Sequence, residues 1–204
     1  MLTARNLECI RGEQKLFSNI SFSVNPGELM FIGGPNGSGK TSLLRLLCGL
    51  SSPDDGEILW NGADIRELGG DYRGVMTYLG HLGSIKDDLT ATENLRISCA
   101  LTGCEISEEQ AVDALERIGL AGRETLPAKV LSQGQRRRVA LARLLVTPTK
   151  LWILDEPLTA LDVAAVELIK GVLEHNLSNG GMIVMTTHQE IVMTATTVRH
   201  LTLS

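Results

Sequence analysis

The chain has 204 residues, of which 43% are hydrophobic and 21% are charged, and its formal net charge is −5. This length and composition suit one globular domain, residues 1–204, or a domain with a small subdomain, with enough apolar side chains for a core. The negative charge argues weakly against nucleic acid as the main partner, because phosphate backbones are bound by basic faces. No stretch approaches the roughly 20 apolar residues that span a bilayer, and the N-terminus lacks a signal-peptide pattern, so we expect a cytoplasmic protein.

The first third of the chain predicts strands, a glycine-rich loop and a helix. Residues 20–24 alternate apolar and serine side chains, which indicates a half-buried strand in an antiparallel start. Leu29–Ile32 is a continuous apolar run typical of a buried strand, and leucines at helical spacing predict a helix over Ser42–Cys48. Two further strands are predicted at Ile58–Trp60 and Val75–Leu79.

Two capping boxes predict a helical subdomain in the middle of the chain. In each of them a hydroxyl residue is followed three positions later by Glu or Gln, as in Thr90 with Glu93 and Ser107 with Gln110. The paired side chains satisfy backbone N–H groups at the start of a helix. We therefore expect a helical insert from about residue 85 to residue 130.

Beyond this insert, helices and strands alternate. Helices are predicted at Gln135–Val146 and Val163–Leu177, and strands at Leu151–Leu154 and Met182–Thr186. Alternation of this kind is typical of a parallel sheet covered by helices on both faces. The predicted fold class is therefore α/β, with a mainly parallel core sheet, an antiparallel β subdomain and a helical subdomain.

Residues 34–41 read GPNGSGKT and match the P-loop pattern, with a predicted strand before them and a helix after them. Backbone N–H groups of such a loop close around phosphate oxygens, Lys40 reaches the β- and γ-phosphates, and Thr41 can ligate Mg²⁺. The motif predicts that ATP and Mg²⁺ are bound here. The predicted ATP-binding residues of the loop are Gly34, Pro35, Asn36, Gly37, Ser38, Gly39, Lys40, Thr41 and Ser42.

Two carboxylates, Asp155 and Glu156, follow the predicted strand Leu151–Leu154. Open α/β sheets bind their ligands at such strand ends, so we expect Asp155 to face Mg²⁺ and Glu156 to act as the general base toward water. Replacement of Glu156 by Gln should then trap bound ATP. His188 follows the next strand, within TTHQ, where it can donate a hydrogen bond to the γ-phosphate and hold the water and Glu156 in register.

With these motifs in place, the chain resembles the nucleotide-binding subunit of ABC transporters. The blocks that carry the resemblance are GPNGSGKT, LSQGQ, LWILDEP, TALD and TTH, in this order, and they cover essentially the whole chain. The resemblance implies an ABC-type P-loop ATPase that forms a head-to-tail homodimer. ATP would lie between the P-loop of one subunit and the signature of the other, namely Ser132, Gln133, Gly134 and Gln135. Asp162, in the D-loop position, would communicate across that interface.

A narrower resemblance is to the CcmA family, the ATPase subunits of the cytochrome c maturation system. It is carried by RNLECIRGEQKLF, GHLGSIKDDLTATENL, GQRRRVALARLL, LWILDEPLTALD and TTHQ. This likeness implies a CcmB-like integral membrane subunit as partner and peripheral attachment to the cytoplasmic face of the inner membrane. The implied role is haem export or release of a haem-loaded chaperone.

Two positions depart from the general ABC pattern. Where most members offer an aromatic residue to adenine, this chain has Arg11, which either stacks on the purine or is a solvated surface arginine. Where most members have a glutamine that touches Mg²⁺, this chain has Leu82, which cannot ligate a metal. Either His81 or a water completes the coordination there, or metal sensing is weakened.

Three other functions compete with the cytochrome-related one. The catalytic residues are equally consistent with the ATPase subunit of another ABC exporter, for a lipid or a small molecule. A soluble ABC ATPase that acts on DNA or ribosomes usually has two cassettes or a long coiled-coil insertion, and this chain has neither. A P-loop kinase or switch would have no use for LSQGQ.

Overall fold

The computed structural model describes residues 1–80, 85–187, 192–193 and 197–204. The chain folds into two compact units. The first, which we call the sheet unit, comprises Met1–Tyr78, Thr149–Glu156 and Glu174–Ser204. The second, the helical unit, comprises Leu79–Pro148 and Pro157–Leu173. The single domain of residues 1–204, with its helical part at about 85–130, stays a prediction.

The bounds of the regular elements are as follows. The strands are β1 (Leu2–Arg11), β2 (Gln14–Val24), β3 (Glu28–Gly33), β4 (Asp55–Trp60), β5 (Ala63–Asp64), β6 (Met76–Leu79), β7 (Leu151–Asp155), β8 (Met182–Thr186) and β9 (Thr197–Thr202). The α-helices are α1 (Lys40–Leu47), α2 (Ile65–Leu68), α3 (Gly70–Gly74), α4 (Ala91–Ala100), α5 (Glu108–Leu115), α6 (Gln133–Val146) and α7 (Val163–Ser178).

An antiparallel sheet in the order β2-β1-β4-β5 is formed mainly by the N-terminal strands. Leu2 pairs with Val24 and Ala4 with Phe22, so the apolar side chains of β1 and β2 meet on one face. These residues are buried, together with Leu7 of β1. The predicted antiparallel start is confirmed.

A second sheet has the order β6-β7-β8-β3-β9. Strands β3 and β8, β3 and β9, and β7 and β8 run parallel to one another. Every residue of β7 and β8 is buried, which explains why their sequences are continuous apolar runs rather than alternating ones. The mainly parallel core sheet is confirmed, and its register places Asp155 directly beside Thr186.

The helical unit contains α4, α5 and α6, which pack on one another. Helix α4 begins at the Thr90 capping box, in which Glu93 N–H donates to Thr90 Oγ1 at 3.1 Å and Thr90 N–H donates to Glu93 Oε2 at 2.8 Å. Helix α5 begins at the same device formed by Ser107 and Gln110. Both predicted helix starts are confirmed. Every helix in the described parts of the chain is too short or too polar to cross a membrane.

The other predicted elements are confirmed with shifts at their ends, but three strands, β1, β5 and β9, and the short helices α2 and α3 were not predicted. The apolar pattern of β1 is interrupted at Arg5 and Asn6, where the register with β2 and β4 shifts, so its alternation is broken. Strand β9 is an edge strand with mostly exposed or half-buried side chains, and its sequence therefore lacks an apolar run.

Candidate functional site

The glycine-rich loop joins β3 to α1 and lies entirely within the sheet unit. Gly34 has a φ of +136°, and a Cβ there would lie 2.4 Å from the Leu203 carbonyl oxygen and 2.7 Å from Ser38 Oγ. Only glycine fits this position, because a side chain would collide with backbone. The loop is thereby drawn tightly onto the end of the chain that follows β9.

The donors in this loop fit an anionic ligand. Lys40 Nζ donates to the carbonyl oxygens of Gly34 at 2.8 Å and Pro35 at 3.0 Å, which holds the ammonium group within the loop. Ser38 Oγ is buried and has no hydrogen-bond partner among the described residues. Among these residues no side chain caps the N-terminus of α1, and its first turn holds no acidic residue. Its backbone N–H groups and positive dipole end therefore suit phosphate.

A hydroxyl and a carboxylate meet beside this loop. Thr41 Oγ1 donates to Asp155 Oδ2 at 2.8 Å, although the two residues are 114 positions apart in the chain. Asp155 is only 2% exposed. Carboxylate and hydroxyl oxygens, together with phosphate oxygens, are the ligands that Mg²⁺ prefers, so this pair fits a magnesium ion. Burial and then the charge of Asp155 raise the pKa of Tyr78 to about 12.

The second carboxylate residue has an unusual backbone. Glu156 has a φ of +49°, in the left-handed region that residues other than glycine seldom adopt. Its N–H donates to Thr186 Oγ1 at 2.9 Å, and the same hydroxyl donates to Asp155 Oδ1 at 2.7 Å. Thr186 was predicted only as a strand residue. The signal that could have identified it is the parallel pairing of β7 with β8, which puts their last residues side by side.

The remaining candidates for the site are two histidines, a leucine and an arginine. His188, His81 and Leu82 lie outside the described residues. Arg11 ends β1 and pairs with Gln14 across the tight turn to β2, with its side chain exposed. Its contact with adenine stays a prediction.

The signature residues lie at the start of α6, in the helical unit. Helix α6 begins at Gln133, two residues before the predicted start, and Ser132 is its N-cap. Gln135 N–H donates to Ser132 Oγ at 3.2 Å, and Ser132 N–H donates to Gln135 Oε1 at 2.9 Å. The Ser132 hydroxyl accepts in this capping box, so its own hydrogen is still available to donate.

The glycine of the signature is required by close packing. A Cβ on Gly134 would lie 2.6 Å from the carbonyl oxygen of Ala160, which belongs to the segment that leads to Asp162. Asp162 Oδ1 accepts a hydrogen bond from Ala165 N–H at 2.8 Å, and its Oδ2 lies 3.8 Å from Arg138 Nη2. The aspartate predicted for the D-loop therefore also caps the start of α7.

One residue near the signature was missed by the sequence analysis. Arg137 is buried and donates to the carbonyl oxygens of Pro157 at 3.2 Å and Gly80 at 3.1 Å. It thus ties helix α6 to the segment after Glu156 and to the segment after β6. Three consecutive arginines indicate a solvated basic run, and the sequence holds no sign that the middle one is buried.

Comparison with known proteins identifies the family. Residues 17–159 match the model of the ABC transporter family. The chain is 84% identical to the cytochrome c biogenesis ATP-binding export protein CcmA of Nitrosomonas europaea over 204 residues, which is 100% of this chain and 96% of that protein. The identity to CcmA of Nitrosospira multiformis is 65% over 199 residues, 98% of this chain and 97% of that protein.

Solved structures confirm the fold class. A dimeric structure of the ATP-binding cassette MJ0796 in a post-hydrolysis state, bound to ADP and Pi, superposes with a TM-score of 0.79 at 27% identity. The match covers 93% of this chain and 88% of that chain. With the P-loop, the carboxylate pair and the signature helix in place, the chain belongs to the ABC transporter ATP-binding proteins and, within them, to the CcmA family.

Proposed function

We propose that this ABC-type ATPase is the energy-coupling subunit of a membrane complex in c-type cytochrome biogenesis. The observation that carries the proposal is the 84% identity, over the full chain, to a relative with that name. Its partner would be a CcmB-like integral membrane subunit, which holds the ATPase peripherally at the cytoplasmic face of the inner membrane. The work done would be haem export or release of a haem-loaded chaperone.

In this proposal the P-loop, residues 34–42, binds the phosphates of ATP, and Arg11 is the candidate contact to adenine. Lys40 would balance the negative charge of the β- and γ-phosphates. Ser38 Oγ, buried without a partner among the described residues, adds a hydroxyl donor at the same loop. Thr41 and Asp155 would hold Mg²⁺, which would neutralise part of the charge that develops on the phosphate oxygens.

Hydrolysis needs one base and one positioned water. The water oxygen forms a bond to the γ-phosphorus while the bond from that phosphorus to the β–γ bridging oxygen breaks. A proton of the water passes to the carboxylate of Glu156, and the bridging oxygen leaves with the electron pair on ADP. We assign the orientation of the water and of Glu156 to His188, as the family resemblance implies.

The second half of each ATP site would come from another copy of this chain. Ser132 keeps a hydroxyl hydrogen beyond its capping role, and this hydrogen can bind the γ-phosphate held by the P-loop of the partner copy. Gln133, Gly134 and Gln135 would complete this contact, and Asp162 would relay its state across the interface. The dimeric form of the cassette bound to ADP and Pi supports a homodimer. We also propose that the sheet unit and the helical unit act as one ATP-binding domain.

The helical unit offers a surface suited to a membrane subunit. Ile97 of α4 and Leu101, which follows the helix, are 45% and 82% exposed and lie one helical turn apart. Ile97 also lines an open cavity of about 450 Å³, whose other lining residues are Glu93, Arg96, Ala100, Glu105 and Ile106. An apolar segment of the membrane subunit would cover these side chains.

The experiment is complementation of a strain that lacks this gene, with haem-stained c-type cytochromes as the readout. The wild-type chain should restore the cytochromes, and Lys40→Ala should not. Leu101→Glu should keep ATP turnover but lose co-purification with the membrane subunit, whereas Arg117→Glu, a change at an exposed residue of the same unit, should keep both. Two results would favour another ABC exporter of a lipid or small molecule. One is a deletion strain with normal c-type cytochromes, and the other is co-purification of the chain with an unrelated permease.

A further inference from the structure

The hydroxyl of Thr186 lies between the two acidic residues that end β7. It accepts the backbone N–H of Glu156 at 2.9 Å and donates to Asp155 Oδ1 at 2.7 Å. Thr186 is the last residue of β8, pairs with Asp155 in the parallel sheet, and is 0% exposed. One side-chain atom therefore contacts both proposed functional positions.

The direction of these hydrogen bonds is fixed by chemistry. A backbone N–H can only donate, so the Thr186 oxygen must accept from Glu156. The single hydroxyl hydrogen of Thr186 is then donated to Asp155. An ionised carboxylate is acceptor-only, which agrees with that assignment. Thr41 donates to the other oxygen, Oδ2. Each oxygen of the Asp155 carboxylate therefore accepts a hydrogen bond from a threonine, which fixes its orientation.

The Glu156 backbone needs such support. At a φ of +49° Glu156 has left the strand conformation, and it follows the last residue pair of the β7–β8 ladder, Asp155 with Thr186. A left-handed conformation at a residue with a Cβ is unfavourable and persists only where its surroundings hold it. The Thr186 hydroxyl accepts the N–H of Glu156, a residue that follows the last pair of the β7–β8 ladder.

We propose that Thr186 is a positioning residue for ATP hydrolysis, which fixes the Asp155 carboxylate for Mg²⁺ and the backbone turn that aims Glu156. The inference rests on the proposed roles of these two acids. A valine at position 186 keeps the branched shape but loses both hydrogen bonds, and a serine keeps the hydroxyl. The hydroxyl, rather than the packing of the side chain, is the functional element.

The test compares Thr186→Val and Thr186→Ser with the wild-type chain. A hydrogen bond to a charged group is worth enough that its loss should lower kcat of Thr186→Val about 10- to 100-fold. The KM for ATP, measured with Mg²⁺, should rise by no more than the affinity that the metal contributes falls, because the P-loop donors are untouched. Thr186→Ser should have a kcat within about threefold of wild type, because its hydroxyl can form the same two hydrogen bonds.

A second readout does not depend on turnover. Calorimetry of ADP binding with and without Mg²⁺ gives the gain in affinity that the metal provides. We expect this gain to fall in Thr186→Val and to be retained in Thr186→Ser, while ADP affinity without Mg²⁺ stays at the wild-type value. A merely structural role would weaken both affinities together or neither.

The matched control is Thr77→Val. Thr77 is also a buried threonine in a strand of the sheet unit, 2% exposed, and its Oγ1 lies 2.7 Å from Thr149 Oγ1. This variant removes a buried hydroxyl of the same kind, whose hydrogen bond runs to Thr149 rather than to Asp155 or Glu156. It should lose stability as Thr186→Val does, but keep kcat and the gain in ADP affinity from Mg²⁺.

Three results would overturn the inference: a kcat of Thr186→Val within twofold of wild type, no rescue by Thr186→Ser, or an unchanged Mg²⁺ gain. If Thr186→Val does not fold, Thr186→Cys takes its place, and wild-type kcat in that variant contradicts the proposal. Glu156→Gln separates the two proposals. If it turns over normally, the proposed role of Glu156 fails; if it is inactive while Thr186→Val is normal, only the inference about Thr186 fails.

Discussion

Replacement of Ser132 by alanine tests two roles of one hydroxyl, helix capping and the proposed contact to the ATP of a partner copy. Ser132 Oγ caps α6 by accepting the Gln135 N–H at 3.2 Å, and in the proposed dimer it also donates to the partner copy's ATP. The chain contains a matched residue that has only the first job. Ser107 caps α5 in the same unit by accepting the Gln110 N–H, also at 3.2 Å.

The two capping boxes are almost superimposable in their local geometry. The return bond from the serine N–H to the glutamine Oε1 is 2.9 Å in both. The φ and ψ angles are −63° and 164° at Ser132 and −70° and 166° at Ser107. Loss of an N-cap costs about 1 kcal/mol, which for a chain of this size lowers Tm by about 2–4 °C. Ser132→Ala and Ser107→Ala should therefore lose similar stability.

Turnover should distinguish them. A hydrogen bond to a charged group contributes about 1.5–3 kcal/mol, so Ser132→Ala should lower kcat/KM for ATP about 10- to 150-fold. Ser107→Ala should stay within about twofold of wild type, as surface changes away from a site usually do. The assays are phosphate release at several ATP concentrations and thermal unfolding of both variants. If both variants lose turnover equally, the loss comes from helix capping, and Ser132 does not bind the ATP of a partner copy.

Further predictions concern the loop, the lysine and a buried thiol. Gly34→Ala should lower Tm by several degrees and weaken ADP binding at least tenfold, measured by thermal unfolding and calorimetry, because its Cβ would lie 2.4 Å from the Leu203 carbonyl oxygen. Lys40→Ala should bind ATP at least tenfold more weakly with a near-normal Tm, since its ammonium contacts only loop carbonyls among the described residues. Burial, then the neighbouring Cys104, raises the pKa of Cys99 to about 11, so the free energy of unfolding should fall as pH rises from ~8.5 toward that value and fall less in Cys99→Ala. Denaturant titrations in reducing buffer check this slope, and an equal slope in both proteins would contradict it.

The sequence predicted most of the core because the core strands carry strong local signals. The β7 and β8 segments are continuous apolar runs, and the capping boxes at Thr90 and Ser107 each start a helix where predicted. Strand β9 was missed because an edge strand needs no apolar run. Its place beside β3 is a long-range pairing that no local pattern encodes.

In the candidate site, too, residues with a local sequence signal were predicted and residues that depend on long-range pairing were not. The P-loop can be predicted residue by residue, because its pattern itself specifies the glycines, the lysine and the hydroxyl, and the binding of ATP by these residues stays a prediction. Thr186 was missed because its role depends on strand register and on the left-handed backbone of Glu156, and neither can be read from neighbouring residues. Arg137 was missed because its partners are backbone carbonyls, which carry no signal in the sequence.

In the proposed dimer each ATP is shared between two copies of the chain. The most direct measurement is the mass of purified Glu156→Gln in solution, by light scattering after size exclusion, with ATP and with ADP. We expect the mass to double with ATP but not with ADP, and we expect Ser132→Arg, added to this variant, to keep it monomeric while ATP still binds. A Glu156→Gln chain that binds ATP and stays monomeric, or a dimer that survives Ser132→Arg, would contradict the sharing of ATP between copies.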